Sequence, residues 1–447
     1  MYRNAMDRLK AWKNAPTRKP LIVNGARQVG KTWLVRAFAQ AEFAALAHVV
    51  FLDNEDMKRA FEGSLDADRL LMLIGAETGT NPRDGNTLVF LDEIQECPRA
   101  ITALKMFCEQ RPDVPVIAAG SLLGVALNRQ RAEDGMGTSW PVGKVEYLDL
   151  HPLTFDEFVR EIANENLADI TRSAECDLVT AFAGRLEGLL REYLYVGGMP
   201  EVVQRYSDTK DFAQARAVQR TLLADYEHDF SKHVVSALDV EHIRQTWRSV
   251  PVQLARESDL KRFSYAAIRN GARGRDYRDA VAWLVDAGLV TKVPRVSKPG
   301  IPLTGYADET YFKLYLLDVG LLGAATGLTS RALVKGNRLF TEYKGAYAEQ
   351  FVCQQLVAEG FAPYYWSADG KQKKGEVDFV VEGAGGPLPI EVKAGENTAG
   401  GSIASFARTY GIERAVRFSL LGWKERDWLT NVPLYAVNGY LSSISRD

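Results

Sequence analysis

Residues 21–32 read Leu-Ile-Val-Asn-Gly-Ala-Arg-Gln-Val-Gly-Lys-Thr, and few folds can accommodate them. Leu21, Ile22 and Val23 make an apolar run of buried-strand type. Gly25, Gly30, Lys31 and Thr32 then fit G-x-x-x-x-G-K-[ST], and the residues from Trp33 to Ala41 continue as a helix. Strand, loop and helix in that order are what a phosphate cradle requires. Glycines let the backbone curl until successive N–H groups point inward, and the helix adds its unpaired N-terminal donors and the positive end of its dipole. The expected phosphate contacts are Gly25, Ala26, Arg27, Gln28, Val29, Gly30, Lys31, Thr32 and Trp33. Lys31 would reach the β- and γ-phosphates of ATP, and Thr32 would place its hydroxyl on Mg2+.

A second apolar strand, Thr87-Leu88-Val89-Phe90-Leu91, runs into Asp92 and Glu93. Asp92 would hold the Mg2+ and Glu93 would polarise the attacking water. Ser121 closes a further strand over 114–121, where its hydroxyl would sense the γ-phosphate, cap a helix expected over 122–128, or do both. Strand-like segments at 47–53 and 145–150, with helices expected over 57–75 and 99–111, complete a pattern of five strands separated by helices. That pattern implies a mostly parallel sheet with helices on both faces and a ligand at the carboxyl ends of its strands.

At 447 residues the chain exceeds what one core usually organises, so several domains are expected. A net charge of −2 excludes a protein coated in basic residues but leaves room for a local basic face. The four cysteines lack C-x-x-C spacing, which argues against a disulfide framework or zinc site, and the five histidines form no metal-binding motif. Residues 1–19 are polar and basic without the apolar core of a signal peptide, and no run of about 18 apolar residues occurs. A cytoplasmic protein without a membrane span is therefore expected.

From 152 to about 235 the pattern is helical, opening on Thr154-Phe155-Asp156-Glu157 in capping-box style and broken by Val196-Gly197-Gly198-Met199-Pro200. This reads as a helical lid. Helices expected over 243–257, 265–270 and 276–287 then precede strands at 290–296 and 310–316, the pattern of a winged helix-turn-helix. Lys261, Arg262, Arg269, Arg273, Arg275, Arg278, Lys292, Arg295 and Lys298 outnumber Asp276, Asp279 and Asp286 there, an excess suited to DNA phosphates.

The C-terminal stretch carries another constellation. A helix over 343–359 bears Glu349, a strand at 364–366 leads into a basic loop with Lys371, Lys373 and Lys374, and two strands follow, one with Asp378 and one with Glu391 and Lys393. Alternation puts Glu391 and Lys393 on one face, and a hairpin would bring Asp378 beside them. Asp378 and Glu391 would ligate Mg2+ or Mn2+, Lys393 would orient a water, and Glu349 would complete the shell. A solvated cross-strand salt bridge is the competing explanation.

Gly-Ala-Arg-Gln-Val-Gly-Lys-Thr, Phe-Leu-Asp-Glu-Ile-Gln, Ala-Gly-Ser-Leu-Leu and Tyr-Val-Gly-Gly-Met-Pro-Glu-Val-Val resemble the prokaryotic AAA-type ATPases of the archaeal ATPase group related to the STAND NTPases. Tyr-Phe-Lys-Leu-Tyr-Leu-Leu-Asp-Val-Gly-Leu-Leu and the Glu376 to Lys393 region resemble the domain of unknown function often fused to them, which is similar to PD-(D/E)XK nucleases. The resemblance implies an α/β chain. It would comprise a P-loop ASCE parallel-sheet ATPase core over 1–150, a helical lid over 151–235, a winged helix-turn-helix over 236–330 and a restriction-endonuclease-like α/β domain over 331–447. Gly143-Lys144 stands where such relatives often have Gly-Arg, which keeps the charge but loses bidentate geometry. The resulting expectation is an ATPase using ATP and Mg2+, in a monomer or homo-oligomer, coupled to DNA binding and to metal-dependent DNA cleavage. The alternative is a signalling or scaffolding switch with a catalytically silent C-terminal domain that binds a protein partner.

Overall fold

The computed structural model describes residues 1–121, 140–231, 236–255, 262–330, 345–368, 375–394 and 401–445. The helix expected over 122–128, the basic residue Lys261 and the loop with Lys371, Lys373 and Lys374 lie outside them. The chain forms two compact units: residues 2–151 with 286–288, and residues 152–285 with 289–447 and Met1.

In the first unit, helix α1 (Ala5–Asn14) precedes β1 (Leu21–Asn24), α2 (Lys31–Glu42) and β2 (Ala45–Val50). Helices α3 (Glu55–Glu62) and α4 (Ala67–Thr78) lead to β3 (Thr87–Asp92), and α5 (Pro98–Gln110) to β4 (Val116–Ala119) and β5 (Glu146–Asp149). The five strands are parallel, in the order β2-β3-β4-β1-β5. Every residue of β3 is buried, as its unbroken apolar run requires of a central strand. Phe51, Phe61, Leu70, Ile74, Leu104 and Phe107 pack with the strands into one core.

The single helix expected over 57–75 is two. Gly63 closes the first, and Asp66 restarts the chain by accepting the Arg69 N–H at 2.9 Å, as Asn54 does for α3 through Met57 N–H at 3.0 Å. The strand expected at 47–53 starts earlier, at Ala45, and ends at Val50, because Asp53 adopts a left-handed turn with φ 57°.

The second unit opens with helices α6 (Phe155–Ile162), α7 (Glu165–Ser173), α8 (Cys176–Ala181), α9 (Ala183–Val196), α10 (Pro200–Thr209) and α11 (Phe212–Asp229). The Thr154–Glu157 capping box is present, with Thr154 N–H donating to Glu157 Oε2 at 3.0 Å. Helices α12 (Ala237–Ala255) and α13 (Gly274–Asp286) precede the hairpin β6 (Val290–Val296) and β7 (Ala307–Leu316), then α14 (Val319–Ala325) and α15 (Ala346–Ala358). The remaining elements are β8 (Tyr364–Ser367), β9 (Glu376–Gly383), β10 (Gly386–Lys393), α16 (Gly401–Tyr410), β11 (Ala415–Ser419), β12 (Leu429–Pro433) and α17 (Val437–Ile444).

The hairpin expected to be a free wing belongs instead to one mixed seven-stranded sheet, ordered β12-β11-β10-β9-β8-β6-β7. Strand β6 pairs in parallel with β8, through Arg295 with Tyr365 and Val296 with Trp366, so the sheet continues across residue 330. The helices expected as a separate lid are tied to the same body by buried polar groups. Asp318 accepts the Gly198 N–H at 2.6 Å, Gln355 Oε1 accepts the Phe155 N–H at 3.1 Å, and Gln354 Nε2 donates to the Tyr193 hydroxyl at 2.9 Å. Buried polar groups must find partners, and here those partners come from both sides of the expected boundaries.

Candidate nucleotide-binding site

Three strand ends converge in the first unit. Register places Val23 of β1 level with Ala119 of β4, and Ala119 level with Asp92 of β3. The loop after β1 therefore faces the Asp92–Glu93 pair, and buried Ser121, two residues beyond β4, stands between them.

The loop has the backbone that its glycines permit. Gly25 has φ 145° and Gly30 φ 95°, and a Cβ on Gly25 would lie 2.3 Å from the Leu150 carbonyl oxygen. Gln28 is also left-handed, at φ 65°, while buried Val29 anchors the loop to the core. Helix α2 starts at Gly30 without a side-chain cap and without an acidic residue in its first turn, unlike α3 and α4. Its first N–H donors are thus left to an anion.

Lys31 Nζ donates to the carbonyls of Gly25 and Ala26, both at 2.8 Å. Burial pulls the Lys31 ammonium down to about 8; Glu93 and Asp92 oppose the shift, and Arg27 adds to it. Thr32 Oγ1 donates to Asp92 Oδ2 at 2.9 Å, and the Glu93 N–H donates to Asp92 Oδ1 at 3.0 Å. The hydroxyl that donates its hydrogen bond to Asp92 keeps its oxygen lone pairs for a cation, so Thr32 and Asp92 fit the hard oxygen donors that Mg2+ takes. When bound, Mg2+ would neutralise charge developing on the β- and γ-phosphates. Glu93 is held in a left-handed conformation, φ 50°, and accepts a hydrogen bond from Gln95 Nε2. Lys144 pairs with Glu109 at 2.9 Å.

Two contributors escaped the sequence reading. His48 of β2 places Nε2 3.2 Å from Asp92 Oδ2, and buried Arg3 donates to the Val29 carbonyl at 3.0 Å and to the His151 carbonyl. Neither stands in a motif; the only signal for His48 was a polar residue amid Ala47, Val49 and Val50 on an otherwise apolar strand.

In the second unit chain cations engage Glu349 and Glu391 among the expected metal ligands, and a backbone N–H engages Asp378. Strands β9 and β10 form the anticipated antiparallel hairpin, and Asp378 Oδ2 accepts the Val392 N–H at 2.8 Å. Glu391 faces Arg417 across the β10–β11 register and pairs with its Nε at 2.8 Å, and Lys393 Nζ lies 3.4 Å from its other oxygen. Lys313, unforeseen and buried, places its ammonium 2.8 Å from Glu376 and 3.3 Å from Glu349, which also accepts the Tyr315 hydroxyl at 2.9 Å. Burial pushes the Asp378 carboxyl up to about 7; Glu349 adds to the rise, and Lys313 opposes it. Among the described residues no group of three or more His, Cys, Asp or Glu is placed to hold a metal ion. Lys313 and Arg417 were legible as lone cations inside apolar strand runs, Tyr-Phe-Lys-Leu-Tyr-Leu and Ala-Val-Arg-Phe.

Of the basic residues around the expected winged unit, Lys292 pairs with Glu309 at 2.5 Å and Arg295 with Asp308 at 2.9 Å. Arg262, Arg269, Arg273, Arg275, Arg278 and Lys298 are exposed, three of them in or just before the first turns of α13. No helix among the described residues is long and apolar enough to cross a membrane.

Residues 17–159 match the AAA domain family, and the first unit thus carries a P-loop ATPase domain of AAA type. Residues 187–332 match a domain of unknown function (DUF8612), and residues 344–436 match another (DUF4143). Similar solved structures include a Walker-type ATPase of Pyrococcus abyssi, at 13% identity and a TM-score of 0.42, covering 73% of this chain and 95% of that one. Another is the Aeropyrum pernix Orc1 protein in complex with DNA, at 13% identity and a TM-score of 0.28, covering 74% and 94%. No curated protein matches the sequence.

Proposed function

We propose that this chain is a Mg2+-dependent ATP hydrolase whose nucleotide state governs DNA binding elsewhere on the chain. The observation that carries the ATPase half is the join of the first turn of α2 to the end of β3, Thr32 hydroxyl to Asp92 carboxylate at 2.9 Å with Lys31 and Glu93 beside them. In this reading the α2 N-terminus and Lys31 bind the phosphates. Thr32 and Asp92 hold Mg2+, Glu93 takes a proton from the attacking water, and Ser121 contacts the γ-phosphate. The DNA half rests on the exposed Arg273, Arg275 and Arg278 in or just before the first turns of α13, with exposed Arg269 five residues ahead of it, which would meet phosphates with little sequence preference.

For the C-terminal sheet we favour binding over cutting. A Mg2+-dependent nuclease needs carboxylates free to close on the cation at about 2.0–2.1 Å. Here an ammonium from the chain itself sits among Glu349 and Glu376, and a guanidinium engages Glu391.

One set of assays tests all three parts. Glu93→Gln should lower ATP turnover by about 10²- to 10⁴-fold while nucleotide still binds; unaltered turnover would remove Glu93 from its role. Changing Arg273, Arg275 and Arg278 together to Ala should weaken DNA binding and abolish any DNA stimulation of turnover, and unchanged affinity would count against DNA. The same mixtures with Mn2+ should show intact DNA; cleavage lost in Asp378→Asn would reinstate the nuclease.

A further inference from the structure

The Asp92 carboxylate is buried, and the hydrogen bonds it accepts fix where its two oxygens point. Oδ1 accepts the Glu93 N–H at 3.0 Å. Oδ2 is shared by the Thr32 hydroxyl at 2.9 Å and His48 Nε2 at 3.2 Å. His48 lies opposite Phe90 in the β2–β3 register, and its ring stacks on the Phe90 ring at 4.6 Å with an interplanar angle of 14°. Stacking fixes the plane of the imidazole, and the plane aims Nε2 at Asp92.

We infer that His48 is a positioning residue for the Mg2+ of this site, acting through Asp92 rather than on substrate. The inference rests on the proposed Mg2+–ATP reading. Thr32 donates a hydrogen bond to Oδ2, and a carboxylate that turned away would break that bond and free the hydroxyl to turn its hydrogen toward the cation. Asp92 has one covalent tether, and its side chain would otherwise rotate about two single bonds. The Glu93 N–H secures one oxygen, and Nε2 secures the other from the strand on the far side. Losing a hydrogen bond to a charged acceptor typically lowers an equilibrium by about ten-fold or more, and the loss should fall on the Mg2+-dependent part of nucleotide binding alone.

The test is calorimetric titration of the full chain with ADP and with a non-hydrolysable ATP analogue, in Mg2+ and in EDTA. It uses wild type, His48→Phe, His48→Ala and His48→Gln. Phenylalanine keeps the stack on Phe90 and removes the hydrogen bond, so it remains informative if alanine disturbs folding. Glutamine can present an amide N–H near the position of Nε2. The expected result is an about ten-fold smaller Mg2+-dependent gain in affinity for Phe and Ala, equal affinities in EDTA, and recovery in Gln. A full Mg2+-dependent gain in His48→Phe, or equal losses in Gln and Phe, would overturn the assignment. If wild type itself shows no Mg2+-dependent gain, the Mg2+–ATP reading fails, which separates that failure from one confined to His48.

Discussion

Lys31 has two competing sets of partners, the loop carbonyls it now caps and the phosphates it is placed to meet, and its proton decides between them. Its ammonium is held near pKa 8 rather than at the usual 10.5, chiefly by burial. Between those values the unfolded chain binds the proton and the folded chain does not, so this group makes stability rise with pH across that window. Nucleotide binding runs the other way, since phosphate needs the charged form. Affinity for ADP should be flat below about pH 8 and fall above it, with net proton uptake on binding. Titration in buffers of different ionisation enthalpy measures that uptake, and Lys31→Ala should show none. The residue types of this site could be read from sequence because phosphate chemistry demands them at fixed spacing. His48 and Arg3 could not, because their roles come from neighbours brought close by the sheet and by α1.

The sheet and helices of the first unit followed from apolar runs and caps, apart from limits that local geometry set, such as Asp66 restarting α4. The loop between β1 and α2 is the element under greatest steric demand. A methyl group on Gly25 would meet the backbone of Leu150, which cannot move aside as a side chain end can, and φ 145° is costly for any residue with a Cβ. Gly25→Ala should therefore cost about 1–3 kcal/mol in stability and weaken nucleotide binding by ten-fold or more. Thermal unfolding and calorimetry would read the two effects, and an unchanged melting temperature would mean that the backbone just after β5 yields. The hairpin of the second unit shows why pattern reading stops short. Its strands, turn and preceding helices fit a wing, yet a parallel pairing of β6 with β8, some seventy residues away, leaves no periodic trace in either strand.

For the molecule, the buried Asp318 is the clearest tie within the second unit. It caps α14 through the Leu321 N–H at 2.9 Å, accepts the Gly198 N–H from the turn between α9 and α10, and receives Gln354 Nε2 at 3.3 Å from α15. Burial pushes its carboxyl up from the ordinary aspartate range, and the backbone donors resist. Asp318→Ala would strand those donors in the interior, a loss of about 3–5 kcal/mol. Hydrogen exchange should show α9, α10 and α15 losing protection together; loss confined to one of them would mean that they open separately. The continuity of the seven-stranded sheet also bears on how the chain can be dissected. A fragment cut at residue 330 would keep β8 but not β6, leaving a row of backbone donors and acceptors open where a strand had been. Such a piece would recruit strands from its own copies. Insolubility of an isolated C-terminal fragment would then report a severed sheet and say nothing of its native activity, and a cut placed before α12 would spare the hairpin.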